Sequence, residues 1–360
     1  SDFEEEVGII VASQLNAPPT GGQIERIRKM RHLATLAIVT AVCALFAGQA
    51  NAATILVGDR HAGDESNARF LEFDLEGNFL GVFASGYGAA GIAQASDTDV
   101  YLGEAAAGAP VRQYDTDGTL LGSAFDDGSS SRPESLAFDS SGDLFISSPG
   151  FGGSTQDVRK VTSTTSSTVI VPNTNFSDPS NLTTDDDLDT PRGLAIDAAD
   201  NLIVADRGNE RLLKFDSSGD LIDVLVTGER VLQTPFIADS GNIFYTWVDS
   251  GKSEYYVKEI NPAGVEQNEW AYDFSSSGTS PALFGPIVLP DGNVLVSAFA
   301  LDEVLHLDTT TGDFTTWASG SFDGVALDGP SEVALIIPEP ASLALLGLGG
   351  AVMLARRRRK

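Results

Sequence analysis

Four short β-rich runs separated by turn residues make up a unit of about 40 residues, and this unit constrains the fold more than any other feature of the chain. Its most regular copy has runs at 191–197, 201–209, 211–216 and 221–226. A Ser217-Ser218-Gly219-Asp220 turn separates the last two runs, and glycine accepts the positive φ of such a reversal. The pattern predicts four antiparallel strands joined by tight turns.

The unit recurs along the chain. Its second run is found at 55–57, 100–102, 144–146, 202–204, 243–245, 294–296 and 333–335, at intervals of 45, 44, 58, 41, 51 and 39 residues. Four antiparallel strands at this spacing are typical of a propeller blade, so six intervals predict an all-β, six-bladed β-propeller of four-stranded blades.

Ring closure is also predicted. The β-run that begins at Thr54 matches the second strand of the unit, and no first strand precedes it. The run at 324–328 matches a first strand, and no third or fourth strand follows it. We expect the two ends to complete one blade, which removes an open sheet edge. The run at 333–337 is then one strand too many, and its place is left open.

The start of the chain has the layout of a secretory signal peptide. Basic residues at 26–31 precede an apolar run at 33–47, and Ala50-Asn51-Ala52 is a small-x-small cleavage site for signal peptidase. We assign 30–52 to the signal helix, and 1–29, upstream of Met30, to a non-native or disordered extension. The only cysteine, Cys43, lies inside the apolar run, so the mature body has no disulfide.

The end of the chain combines three features. Pro338-Glu339-Pro340 is followed by a charge-free run at 341–355 and then by five cations at 356–360. A helix of that run would be about 22 Å long, which is short for a permanent membrane span. The terminal cations favour the cytoplasmic side, which leaves the preceding body outside. A transient inner-membrane anchor is one interpretation, and a plain C-terminal anchor is the other.

The three C-terminal features resemble the PEP-CTERM sorting signal of Gram-negative bacteria, assigned to 337–360. The resemblance implies cleavage by an exosortase-type enzyme and sorting to the cell envelope or secretion. The body at 53–336 resembles the NHL-repeat propellers and, more distantly, the gluconolactonase-like propellers. This second resemblance specifies the fold better than an activity, since propellers include binding proteins, lyases and hydrolases.

The 58-residue interval indicates an insertion at about 150–190. It is rich in Ser, Thr, Asn and Asp, for example at 162–168 and 183–187, and therefore offers little for a core. We expect a mobile surface excursion.

The body is strongly acidic. The whole chain carries a formal charge of −29, and without the two targeting ends the charge is about −32. Such a surface repels nucleic acid, which we exclude as a partner. It suits solubility, cations or a charged extracellular matrix, and a merely solvated surface is an equally good explanation.

Candidate site residues follow the second strands, where loops should converge around the central channel. These positions hold Asp59-Arg60-His61, Glu104, Ser147-Ser148, Asp206-Arg207, Trp247 and Ser297. Three carboxylates, Asp59, Glu104 and Asp206, are candidate ligands of a hard cation such as Ca²⁺. The alternative for Asp206 is structural, because an aspartate at this position of NHL-type repeats commonly holds the adjacent loop by hydrogen bonds.

Two functions fit these observations. The first is an exported, surface-sorted, non-enzymatic binding module for extracellular matrix, polysaccharide or protein. The second is a metal-dependent lactonase or hydrolase with Asp59, Glu104 and Asp206 at the channel. The sequence shows no Gly-x-Ser-x-Gly motif and no histidine pair, which favours the first.

Overall fold

A computed structural model of the chain describes residues 53–337, apart from 62–66, 86–87, 96–98, 105–107, 127, 129–131, 151–154, 184–185, 232, 250–251, 253 and 275–281. The signal helix with its Ala50 and Ala52 cleavage site, the Pro338-Glu339-Pro340 triplet and the sorting helix lie outside the described residues. Within the part that the structure describes, no helix is long and apolar enough to span a membrane.

The described residues form six antiparallel blades, which confirms the predicted propeller. Blade 1 contains β1 (Thr54–Asp59), β2 (Arg69–Phe73) and β3 (Phe79–Ser85). Blade 2 contains β4 (Ala89–Ala95), β5 (Asp99–Glu104), β6 (Val111–Asp115) and β7 (Leu120–Phe125). Blade 3 contains β8 (Ser135–Phe138), β9 (Leu144–Pro149), β10 (Gln156–Ser163) and β11 (Ser166–Val171).

The second half of the ring repeats this arrangement. Blade 4 contains β12 (Pro191–Ile196), β13 (Leu202–Asp206), β14 (Arg211–Phe215) and β15 (Leu221–Thr227). Blade 5 contains β16 (Arg230–Val231), β17 (Phe236–Ile237), β18 (Ile243–Asp249), β19 (Glu254–Ile260) and β20 (Glu266–Asp273), and both β16 and β17 pair with β18. Blade 6 contains β21 (Leu283–Val288), β22 (Val294–Ala298), β23 (Glu303–Leu307) and β24 (Phe314–Ser319), with a 3-10 turn at Phe299–Leu301.

The ring closes as predicted, but with a different strand. A small hairpin of β25 (Ser321–Phe322) and β26 (Val325–Ala326) follows blade 6, and the last strand, β27 (Pro330–Ile336), pairs with β1. The expectation that 324–328 supplies the first strand of blade 1 is wrong. Pro330 lies opposite Asp59 just as Pro191 lies opposite Asp206, so the supposedly surplus run is the first strand.

Apolar side chains between successive blades form the core. Second strands are buried on both faces, as in β13, where every residue is buried. Fourth strands carry exposed residues, as in β20. One layer packs Val57 and Phe73 of blade 1 against Leu295 of blade 6 and Val333 of β27. Each sheet therefore covers the apolar face of its neighbour, and the last blade covers the first.

The predicted insertion at about 150–190 is only partly an excursion. Residues Gln156–Ser163 and Ser166–Val171 are β10 and β11, the outer strands of blade 3. The following connection buries Phe176 and Leu188, which are 2 % and 3 % exposed, in the layer between blades 3 and 4. The expectation that this segment contributes little to the core is wrong, because two isolated apolar residues in a polar stretch act as anchors.

The strand directions define two ends of the ring. We call the end where first strands begin and second strands end the top, and the opposite end the bottom. The loops before Pro191 and Pro330 are at the top, beside Asp206 and Asp59. Thr54 pairs with Ile336 at the bottom, so the described chain both begins and ends there.

Candidate functional site

Asp206 fastens a loop at the top of the ring. Its side chain is fully buried, and its Oδ2 accepts hydrogen bonds from Arg211 Nε at 2.7 Å and Asn209 Nδ2 at 3.0 Å. Its Oδ1 accepts a hydrogen bond from the backbone N–H of Asp189 at 2.7 Å, in the loop before β12. Arg211 also donates to the carbonyl of Asp187. These contacts agree with the structural role given to Asp206 from sequence.

Asp59 does the same in blade 1. It is fully buried, accepts from Arg69 Nε at 2.8 Å and accepts from the backbone N–H of Asp328 at 2.9 Å. Arg69 then donates to the carbonyls of Phe322 and Val325. Burial raises the pKa of Asp59 and of Asp206, against the opposing effect of their hydrogen bonds. Both carboxylates therefore hold the loop that leads into the first strand.

Glu104 and Trp247 are placed at the corresponding strand ends of blades 2 and 5. Glu104 accepts from Arg112 Nε at 3.1 Å. Trp247 stacks on Tyr256 with 4.5 Å between ring centroids, and Lys258 Nζ lies 5.1 Å from the Trp247 ring. Trp247 Nε1 donates to Glu269. The Trp247 indole thus makes its stacking, cation–π and hydrogen-bond contacts with residues of its own blade.

The three predicted calcium ligands are each held by an arginine. In the described part of the chain no group of three or more His, Cys, Asp and Glu side chains could hold a metal ion. His61 Nε2 lies 3.5 Å from Asp59 Oδ2 without forming a hydrogen bond there. The calcium site stays a prediction, and these contacts give it no support.

A different set of charges meets at the top of the channel. Glu134 is 1 % exposed and is contacted by guanidinium groups from three elements of the ring. Arg132 Nε donates to its Oε2 at 2.8 Å, Arg192 Nη2 donates to its Oε1 at 3.0 Å, and Arg60 Nη1 lies 3.7 Å from Oε1. Burial opposes ionisation of Glu134, but the three arginines outweigh it and lower its pKa.

A fourth arginine extends this group. Arg207 follows Asp206 directly, and its Nε is buried without a hydrogen-bond partner. Burial, together with the charges of Arg192 and Arg230, lowers the pKa of Arg207 to about 10. Arg207 therefore remains a cation at neutral pH, next to other cations. We call Arg60, Arg132, Arg192, Arg207 and Glu134 the arginine cluster.

Local sequence explains how the cluster is assembled. Pro133 lies two residues before β8 and Pro191 begins β12, and the residues that follow these prolines are Glu134 in blade 3 and Arg192 in blade 4. At Gly193 an added Cβ would lie 2.3 Å from the carbonyl oxygen of Gln233, so only glycine lets blades 4 and 5 approach this closely. The innermost strands thus carry charges into the channel instead of apolar residues.

Sequence reasoning found Arg60 and Arg207 as neighbours of the candidate aspartates but missed Arg132, Glu134 and Arg192. The sequence did contain a signal for Glu134 and Arg192, because each follows a proline at the start of a buried inner strand. A charged residue in such a place needs a partner of opposite charge. What the sequence could not give is the partner, since Glu134 and Arg192 are 58 residues apart.

The cluster has a cationic excess. Among the described residues of the cluster, three guanidinium groups contact one ionised carboxylate and Arg207 adds a fourth positive charge, in a chain whose formal charge is −29. Guanidinium forks match carboxylate, sulfate and phosphate groups, and burial strengthens such pairs. The arrangement is chemically suited to binding an anionic group.

Glu332 lies below the cluster, on β27, and is 4 % exposed. Burial raises its pKa to about 8, with the Glu134 charge acting in the same direction. It is therefore protonated at neutral pH and does not cancel the cationic excess.

Two family models match parts of the chain. Residues 337–360 match the PEP-CTERM protein-sorting motif, and residues 188–215 match the NHL repeat. The second match covers β12 to β14 of blade 4, the copy that is most regular in sequence. The chain is therefore a six-bladed propeller that carries an NHL repeat and a PEP-CTERM motif, and the motif indicates export and C-terminal sorting.

Solved structures share the fold at low sequence identity. A chain of a nidogen/laminin complex aligns with a TM-score of 0.58 and 14% identity, covering 80% of this chain and 100% of that one. A Bacteroides caccae protein of unknown function aligns with a TM-score of 0.53 and 10% identity, covering 79% and 99%. A streptogramin B lyase aligns with a TM-score of 0.44 and 16% identity, covering 64% and 68%. No curated protein matches the sequence.

Proposed function

We propose that the protein is an exported, surface-sorted β-propeller that acts as a non-enzymatic binding module, and that its arginine cluster binds the anionic groups of an extracellular acidic polysaccharide. The PEP-CTERM motif at 337–360 supports export. We expect signal peptidase to remove the signal peptide and an exosortase-type enzyme to process the C-terminal end. One observation carries the binding proposal, namely the cationic excess around buried Glu134.

Charge explains why the cluster can select an anion. A polyanion is repelled by most of this acidic surface, so binding depends on a site where cations are concentrated. Arg207 has a buried Nε without a hydrogen-bond partner and a pKa lowered by its cationic neighbours. An incoming carboxylate or sulfate at this half-buried guanidinium would relieve the repulsion between the guanidinium groups.

The charges of Glu134 and Arg207 stay fixed near neutral pH, which suits these two groups to binding rather than to proton transfer. The pKa of Glu134 is lowered by three arginines, and Arg207 keeps a pKa of about 10. Neither group changes its charge near neutral pH, whereas an efficient general acid or base has a pKa near the working pH. Fixed charges suit recognition of a charged polymer.

The test is calorimetric titration of the mature protein with oligogalacturonate, which has one carboxylate per sugar, and with neutral dextran oligomers. We expect oligogalacturonate to bind, more weakly as salt is raised, and dextran not to bind. Arg207→Gln and Arg60→Gln should each weaken binding about tenfold, which corresponds to about 1.4 kcal/mol for one charged contact.

Lys160→Gln is the matched control. Lys160 also forms an ion pair, at 2.6 Å from Asp143, but its partner lies in the β8 to β9 turn at the bottom of the ring. Its loss should leave binding unchanged. Equal loss in all three variants, or equal binding of dextran, would overturn the assignment to the arginine cluster. Shortening of the oligomer during incubation would overturn the non-enzymatic part.

A further inference from the structure

A cavity of about 580 Å³ lies at the bottom of the ring, at the end opposite the arginine cluster. Blades 1, 2, 5 and 6 contribute its wall, which is mainly apolar and includes Ile92, Phe236 and Leu335. Its volume is within the range of small-molecule sites, which are typically apolar with a few placed polar groups.

Glu332 is the buried acidic group of this wall, and the side chains of Thr234 and Gln233 act as hydrogen-bond partners of its carboxyl group. The polar contact of its Oε2 with Gln233 Nε2 is long, at 3.5 Å, and Gln233 Oε1 is buried without a hydrogen-bond partner. Gly285 makes room for the carboxyl group, because an added Cβ would lie 3.3 Å from Oε2, and its φ of +48° disfavours other residues. The unpartnered Gln233 Oε1 and the long contact from Gln233 to Glu332 leave hydrogen-bonding capacity beside the cavity, which is unusual without a ligand.

We propose that this cavity is a second binding site, for a small uncharged molecule that has an apolar body and a carbonyl or ether oxygen, and that Glu332 donates a hydrogen bond to that oxygen. The site is independent of the arginine cluster and of the proposed polysaccharide.

The surroundings select for a neutral ligand. A cation gains no clear attraction at Glu332, because the charges of Glu134 and Arg192 act there with opposite signs. An anion would leave water for a mainly apolar wall, which is costly for any charged group. A neutral acceptor meets neither penalty, and it can accept a hydrogen bond from the protonated carboxyl group of Glu332. The raised pKa of Glu332 is consistent with this role as a donor.

The cavity also has room for a larger ligand. A cleft of about 290 Å³ between blades 5 and 6 shares Ala238, Ser240, Val288 and Gly292 with it. Trp270 and Asn268 line the cleft, so a ligand that extends from the cavity would reach an indole ring and an amide. Binding should therefore change tryptophan fluorescence when the ligand is long enough to reach Trp270.

The experiment compares three probes that share a benzene ring, namely benzamide, benzylammonium and benzoate. Binding to the mature full-length protein is measured by ligand-detected NMR at pH 6.5. We expect benzamide to bind with a dissociation constant of about 1 mM, as for a fragment of this size, and the two ions at least about tenfold more weakly.

Two variants test the donor. Glu332→Leu should lose benzamide binding about tenfold, because the apolar wall remains but the hydrogen bond does not. Glu332→Gln keeps a hydrogen-bond donor and should therefore retain most of the benzamide affinity. Lys160→Gln serves as the control for general effects on the protein and should bind benzamide normally.

Three results would overturn the proposal. They are the absence of binding of all three probes, a preference for benzylammonium, or unchanged benzamide affinity in Glu332→Leu. None of them bears on oligogalacturonate binding at the arginine cluster, so failure of this site and failure of the proposed function are distinguishable.

Discussion

Glu332 should make the protein less stable as the pH rises from about 4.5 to about 8, and replacing it by glutamine should remove this effect. The side chain is buried and has a pKa of about 8, compared with 4.5 for an ordinary glutamate. Between these values the unfolded chain loses the Glu332 proton while the folded chain keeps it. The stabilising contribution is therefore complete below pH 4.5 and is lost by pH 8.

The size of the effect follows from the two pKa values. Each pKa unit corresponds to about 1.4 kcal/mol, so the full loss is about 5 kcal/mol, and about 3 kcal/mol of it has occurred by pH 7. A domain of this length changes its Tm by about 2 to 4 °C per kcal/mol. The difference in stability between Glu332→Gln and the natural protein should thus grow steadily from pH 5 to pH 8 in favour of the variant.

The assay is urea denaturation of both proteins at pH 5, 6, 7 and 8. Taking the difference at each pH cancels the titration of groups that both proteins share. Glu134 is one such group. Its lowered pKa gives stability above the unfolded pKa that is lost as the pH falls, so measurements stay at pH 5 and above. Parallel curves for the two proteins would show that Glu332 is ionised in the folded state, and would refute the reasoning.

Three further outcomes are expected. Asp206→Ala leaves Arg211 buried without its carboxylate, so it should lower the unfolding free energy by about 3 kcal/mol in urea, and a change below about 1 kcal/mol would contradict the fastening role. Arg207→Gln removes a cation whose Nε lacks a partner, so calorimetry should give an equal or higher Tm, and a lower one would argue that Arg207 is structural. Phe176→Ala should cost about 3 kcal/mol and expose 172–190 to limited proteolysis, whereas an unchanged cleavage pattern would contradict its role as an anchor.

The repeat was predictable because it is local. A run of apolar residues followed by a turn residue specifies a strand and its reversal without reference to the rest of the chain. The hydrogen bonds of Asp115 illustrate this, since its side chain accepts from the backbone N–H groups of Asp117 and Thr119 within its own turn.

The closing strand was harder to identify because two candidates compete for one place. The run at 324–328 and the run at 333–337 both read as strands, and only the pairing decides between them. Pro330 opposite Asp59, with the Asp328 backbone bonded to that carboxylate, repeats the geometry of Pro191 and Asp206. The turn at Asp323 and Gly324 makes a small hairpin instead.

What the sequence by itself determined is the number of blades, the position of the turns, the closure of the ring by its two ends and the aspartates at the ends of the second strands. The turns and the aspartates depend on neighbours within one repeat, and the blade number and the closure depend on the number and order of the repeats. What only the tertiary structure decided is which charges meet. Asp59 and Asp206 were candidate ligands of one cation, with a structural alternative for Asp206, and each accepts a hydrogen bond from an arginine of its own blade. Arg132, Glu134 and Arg192 come from separate parts of the chain, and they form a site only because ring closure places the first strands of neighbouring blades side by side.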